Sequence, residues 1–198
     1  MNDSILNDLI GSRICHDLIS PLGAIGNGVE LLSMSGASAS PEFALISESV
    51  ENANARIRFF RVAFGAASSG SLLGNGEIRS ILAGMYRGSR MKVDWRVETD
   101  PSRAEAKLAF LLLLCLESAL PWGGRIIVAQ TGSGRWTLTA MGERQKIDEN
   151  LWDLVANPQS ESEVTASEVH FALSHKVAAR LRRTVSMHAE PKCITVSF

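Results

Sequence analysis

The segment Arg13-Ile-Cys-His-Asp-Leu-Ile-Ser-Pro-Leu22 sets a histidine beside a carboxylate, with a proline five residues on. A neutral imidazole nitrogen is a competent nucleophile near physiological pH because its unperturbed pKa is about 6.5. An adjacent carboxylate, here Asp17, can hold the other ring N–H and favour the nucleophilic tautomer. His16 stands two residues before Leu18, and Leu18, Leu22, Ile25, Val29 and Leu32 are apolar at helical spacing. Two residues are about 200° of helical turn, which places His16 nearly opposite that seam and predicts an exposed imidazole. By position alone the ordinary reading is an inert surface histidine. Its neighbours argue for more. Pro21 inside a helical pattern costs about 3 kcal/mol, and Gly23, Gly26 and Gly28 add about 1 kcal/mol each relative to alanine. Such a local penalty implies a packing or functional reason. Ile19, Ser20, Gly23 and Asn27 share the face of His16, and small residues there would let another protein approach the imidazole closely. That face is a docking candidate.

Other reactive side chains carry weaker signals. Adjacent helical residues diverge by about 100°, so Cys15 and His16 form no nucleophile pair, and a buried or half-buried thiol is expected at Cys15. His170 and His175, five apart on a predicted helix, read as surface or packing residues. Arg56, Arg58 and Arg61 form a basic helix end, either solvated or a contact for an acidic partner. Trp122 and Trp152 read as packing anchors. Histidines and cysteines form no cluster with zinc spacing, so no metal is expected. The three cysteines, Cys15, Cys115 and Cys193, are scattered and odd in number, which fits a reducing compartment. Twenty basic residues against 21 acidic leave a net charge of −1 over 198 residues, with no electrostatic case for nucleic acid or an anionic membrane. The longest apolar run, Leu108 to Leu116, is about half of what a bilayer requires. No basic region followed by an apolar one opens the chain. A cytoplasmic protein is expected.

The elements that must position His16 fall into two groups. The stretch Gly65 to Gly76 is dense in Gly and Ser and reads as a linker. Residues 1–68 hold two helical patterns: the one from Leu18, and Phe43, Ile46, Val50, Ala53, Ile57, Phe60 and Phe64, opened by Ser40-Pro41 as cap and first helical residue. These coiled-coil-like seams predict an antiparallel hairpin. Two helices cannot enclose a core, so a dimeric four-helix bundle is expected, with packing against the rest of the chain as the competing explanation. Residues 75–198 read as α+β: a helix over Ile78–Tyr86, a strand over Met91–Glu98, a capping box Ser102-x-x-Glu105 opening the helix Lys107–Leu120, and a hairpin of strands Arg125–Gln130 and Arg135–Met141 about Gly132-Ser-Gly134. A helix over Ser167–Leu181 and strands over Thr184–Ala189 and Lys192–Phe198 follow. One sheet covered by helices on one face accommodates them.

The segment His16-Asp-Leu-Ile-Ser-Pro-Leu22 resembles the phosphoacceptor box of two-component histidine kinases, and the wider stretch Arg13 to Leu32 is closer to the ChpT family of bacterial histidine phosphotransferases. The second half is similar in its order of elements and its Pro121-Trp-Gly-Gly124 turn. The resemblance implies that His16 accepts and donates a phosphoryl group, that Asp17 orients or deprotonates it, and that Ser20 tunes the reaction with a receiver. It implies as partners a second copy of the chain, the receiver domain of a hybrid kinase and downstream response regulators, with Mg²⁺ held by the receiver. It implies that the second half is an α/β sandwich like a histidine-kinase ATP-binding domain with a degenerate nucleotide site. In the kinase motif N-x-x-x-N-A, this chain has Leu114 and Ser118 in place of the asparagines. In D-x-G-x-G it has Ala140 for the aspartate and Arg144 for the second glycine. Leu114 cannot coordinate Mg²⁺ and Ala140 cannot accept from an adenine amino group, so no nucleotide is expected to bind. A kinase with an unusual nucleotide site, a receiver phosphatase and a non-catalytic receiver-binding adaptor are the rival readings.

Overall fold

Two long helices come first, α1 (Asp3–Ser35) and α2 (Pro41–Ala63), in a computed structural model that describes residues 3–35, 41–67, 70–132, 134–157 and 163–198. Five residues join them, six Cα steps that span at most about 22 Å. That is short of the roughly 35 Å length of α2 at 1.5 Å per residue, so the packed pair is an antiparallel hairpin. Ser40, the expected cap, lies outside the described residues. Helix α1 begins fifteen residues before Leu18, because Leu6, Leu9, Ile10 and Ile14 supply a further apolar stripe that packs on the second half of the chain. Pro21 stays inside α1 without ending it. Pro21 and Gly28 are buried, whereas Leu22 and Val29, one residue on and so about 100° round the helix, are exposed.

The second half contains α3 (Asn75–Met85), β1 (Met91–Trp95), α4 (Arg103–Ala119), β2 (Gly124–Gln130), β3 (Trp136–Met141), α5 (Glu149–Ala156), a 3₁₀ turn (Ala166–Glu168), α6 (Val169–Arg180), β4 (Ser186–Glu190) and β5 (Cys193–Ser197). The class is α+β. The sheet runs β1-β2-β3-β5-β4. β1 and β2 are parallel, Met91 opposite Gly124 through Trp95 opposite Val128, with α4 as the crossover, and all other pairs are antiparallel. Ser133 of the expected hairpin turn lies outside the described residues; the Gly134 N–H donates to the Thr131 carbonyl at 2.8 Å. Burial alternates with the strand period: Ile126, Val128, Trp136, Leu138, Ala140, Ile194 and Val196 are buried, and the residues between them are partly exposed. One face of the sheet carries the helices.

Helix α4 is the core helix. Every residue from Leu108 to Leu116 is buried, as a helix apolar all round requires. It starts at Arg103, earlier than Lys107, because the Ser102 hydroxyl accepts the Glu105 N–H at 3.2 Å and caps the first turn. Helix α5 has no counterpart among the expected elements; the Asp148 side chain accepts the N–H groups of Asn150 and Leu151 and opens it. β1 stops at Trp95, short of Glu98, because the Glu98 carbonyl is engaged by the Asn75 side chain at 3.0 Å.

The stretch read as a linker is tied down and the two halves share one core. Lys107 Nζ donates to the Gly65 carbonyl at 2.7 Å, and the Leu73 and Arg103 N–H groups donate to the carbonyls of Pro101 and Ser71. Phe59, Phe60, Val62 and Ala63 of α2 lie in the same cluster as Phe110 and Tyr86. The stripe along α2 therefore divides. Its C-terminal end packs on the second half, and Phe43, Val50 and Ile57 are left exposed.

Candidate functional site

His16 stands on α1 at the level where the hairpin meets the second half. Its side chain is 84% exposed, the most open of any ionisable group bonded near it, while Asp17 beside it is only 10% exposed. His16 Nδ1 lies 3.2 Å from Asp17 Oδ1. An ionised carboxylate has no proton to give, so the bond requires Nδ1–H as donor, and in the neutral ring the lone pair is then on Nε2 of this exposed side chain. The second oxygen, Asp17 Oδ2, accepts from Arg13 Nε at 2.8 Å. Arg13 reaches on to the second half, where its Nη1 donates to the Ser167 carbonyl at 2.8 Å. An electrophile could thus approach Nε2 from water while the back of the ring is held through a carboxylate and a guanidinium.

Ile19, Ser20, Gly23 and Asn27 are all exposed. Ile19 is 66% exposed, and a Cβ added at Gly23 would meet nothing within 4 Å. Ser20 also lines a 450 Å³ groove between the hairpin and the second half, together with Pro21, Arg56, Tyr86, Ser89 and Glu117. Burial pushes the Glu117 carboxyl up, against the pull of Tyr86, whose hydroxyl donates to it at 3.3 Å. Burial and that carboxylate in turn raise the Tyr86 hydroxyl well above its ordinary value. Arg56 faces this groove and is no part of a solvated face; Arg61 is exposed, within 3.7 Å of Glu77.

Two expectations are corrected. Cys15 is exposed and not buried, because it falls on the outer apolar stripe of α1 with Ile19 and Leu22, which this single chain leaves uncovered. Trp122 is no packing anchor: the turn after α4 carries the indole outward, 47% exposed, with the Arg144 guanidinium stacked over it at 4.7 Å. Trp152 is buried, edge-on to Phe171.

The positions matched to a nucleotide site are filled from within. Leu114 and Ala140 are core residues. Ser118 Oγ donates to the Leu114 carbonyl at 3.0 Å and lies 3.2 Å from His170 Nε2 on α6. With its proton so used, the hydroxyl accepts from Nε2–H, and Nδ1 is left as a buried, unpartnered acceptor. Burial, with the charge of Arg13 adding, pushes the His170 pKa down to about 3. His175 turns elsewhere, toward the Val155 carbonyl at 3.4 Å. Among the described residues no group of three or more His, Cys, Asp or Glu side chains could hold a metal, and no helix is long and apolar enough to cross a membrane.

Residues 75–192 match the family model for the histidine phosphotransferase C-terminal domain. Over 197 residues, 97% of this chain and 94% of the relative, the sequence is 33% identical to the protein phosphotransferase ChpT of Brucella abortus (strain 2308). This chain belongs to the ChpT family of histidine phosphotransferases. A solved bacterial phosphotransferase, determined at 1.7 Å, is similar over all of this chain and 97% of its own, with a TM-score of 0.84 and 31% identity. The activity of this ChpT-family chain is histidine phosphotransfer in a two-component phosphorelay. Arg13 was legible as a partner for Asp17 from the spacing of four along α1; its hold on the Ser167 carbonyl, 154 residues away, was not.

Proposed function

We propose that His16 is the phosphoryl carrier, taking the group from the aspartyl phosphate of a hybrid kinase's receiver domain and giving it to the aspartate of a downstream response regulator. The observation that carries this reading is the exposed Nε2 backed by Asp17. The Nε2 lone pair attacks phosphorus, the P–O bond to the receiver carboxylate breaks, and that carboxylate departs with its electron pair. The ring takes up the positive charge, which the Asp17 carboxylate at Nδ1 stabilises. Such transfer demands mainly in-line positioning and charge neutralisation. The Mg²⁺ that neutralises the phosphoryl oxygens belongs to the receiver.

Ile19, Gly23 and Asn27 form the receiver's footing around His16, and Ser20 lies at its edge, where it tunes the reaction. A second copy of the chain covers Leu22, Val29, Phe43, Val50 and Ile57, apolar residues exposed on both helices. Two hairpins then complete a four-helix bundle, a large apolar patch being otherwise unfavourable in water. No nucleotide takes part, since Leu114 and Ala140 offer neither a metal ligand nor an acceptor for adenine. The cytoplasm is the setting that its receivers and its free cysteines suit.

The test is transfer of label from a receiver carrying labelled aspartyl phosphate to wild type and to His16→Ala, with labelled ATP alone in parallel. Acid-labile label on wild type only, and none from ATP, is the expected result. Label from ATP alone would make the chain a kinase. Receiver binding without any label on the protein would make it an adaptor.

A further inference from the structure

We propose that Arg13 is a positioning residue for phosphoryl transfer, holding the Asp17 carboxylate against His16 and tying that carboxylate to the second half of the chain; the proposal rests on the reading of His16 as the carrier. Neighbouring residues on a helix diverge by about 100°, so the helical backbone alone does not turn Asp17 toward His16. Arg13 is one turn earlier, on the face of Asp17, and at that spacing its Nε meets Oδ2 at 2.8 Å. With Oδ2 fixed, Oδ1 is presented to His16 Nδ1. The guanidinium is itself fixed by its second bond, to the Ser167 carbonyl. That carbonyl belongs to the 3₁₀ turn before α6, whose shape is set by a capping box: the Thr165 N–H and hydroxyl both donate to Glu168 Oε2, at 2.9 and 2.8 Å. A planar fork with several donors can serve both acceptors at once, which a lysine ammonium in the same place does less well.

Through this clamp the second half enters the transfer site by the backbone carbonyl of Ser167. The clamp selects the Nδ1–H tautomer in the free protein, and during transfer it keeps the carboxylate where the developing ring charge appears.

The experiment compares wild type, Arg13→Gln, Arg13→Lys, Asp17→Asn and the Arg13→Gln/Asp17→Asn double variant, all in the full chain. Nitrogen-15 spectra of the His16 ring report the tautomer without any receiver present, and label transfer from a phosphorylated receiver gives the rate. Wild type should hold the proton on Nδ1. Arg13→Gln should move much of it to Nε2 and slow transfer about ten- to hundred-fold, the size of effect a misplaced catalytic group produces. Arg13→Lys should recover part of the rate, and the double variant should be no slower than Asp17→Asn alone. An unchanged tautomer in Arg13→Gln, or additive losses in the double variant, would overturn the proposal. Arg13→Lys, which keeps the charge, stands in should Arg13→Gln lose its cooperative thermal transition: a normal tautomer and rate in it argue against the clamp's geometry. If His16→Ala still takes label, the carrier reading fails, whereas the ring spectra still decide whether Arg13 governs the imidazole.

Discussion

Phe59→Ala should weaken the whole chain, although Phe59 belongs to the hairpin. The ring is fully buried. Its centroid is 4.8 Å from that of Phe110 on α4, 6.2 Å from Phe60 and 6.3 Å from Tyr86 at the end of α3. Removing roughly 120–150 Å² of buried apolar surface at about 25 cal/mol per Å² costs about 3–4 kcal/mol. The cavity it leaves and the lost ring contacts bring the expectation to about 3–5 kcal/mol, the usual range for a buried Phe→Ala. For a chain of this length that is a fall of roughly 6–20 °C in Tm. The assay can be made specific, because all four tryptophans lie between residues 95 and 152. Tryptophan fluorescence in urea then follows the second half alone, while far-UV circular dichroism weights the long helices. At one fixed protein concentration both signals should shift together in Phe59→Ala. A fluorescence midpoint that stays in place while helicity is lost earlier would refute the shared core.

Three further outcomes follow from particular residues. The His170 pKa is depressed to about 3 in the native protein, so between its unfolded value near 6.5 and that point the unfolded chain binds a proton the native state refuses, and stability falls with pH by about 1.4 kcal/mol per unit. Denaturant curves of His170→Gln and wild type should converge as pH drops from 6.5 to 4.5, and parallel pH profiles would exclude the effect. Gly123 has φ +97°, and a Cβ there would lie 2.6 Å from Arg90 Cβ, so Gly123→Ala should lose about 2 kcal/mol in urea unfolding; a change under about 0.5 kcal/mol would contradict the turn as described. Leu22→Glu, placed at a residue 59% exposed in the single chain, should sediment as a monomer with its helicity intact; a wild type that is itself monomeric at the same concentration would remove the need for a second copy.

What the sequence disclosed tracks how local each signal is. The cap at Ser102, the unbroken run from Leu108 to Leu116 and the alternation in β2 and β3 are settled within a few residues; the two strands form within one residue of the expected bounds, and α4 differs by starting at Arg103. Helix α5 is marked by the Asp148 cap and by Leu151, Trp152, Leu154 and Val155, but eight residues give too little periodicity to predict it. The seams on α1 and α2 were legible as apolar stripes, but their division into a part covered by the second half and a part left open depends on how far α1 runs past α2, which spacing alone does not fix. At the site, the exposure of His16 followed from its 200° offset, and Asp17 from adjacency. The carbonyl of Ser167 carries no side-chain signature, so its contact with Arg13 emerges only once α1 and the turn before α6 are side by side.

The sheet order carries a consequence for synthesis on the ribosome. β5 is inserted between β3 and β4, with Phe198 stacked on Trp136 at 5.5 Å. β4 therefore has nothing to pair with until residues 193–197 have emerged, and β3 keeps an open edge for the same interval. Both hairpin helices, by contrast, are complete in sequence at Ala63, and chains grow at about 5–20 residues per second. The helix bearing His16 is thus synthesised seconds before its supporting half can close, with the Phe59 end and the outer apolar stripe both uncovered until then.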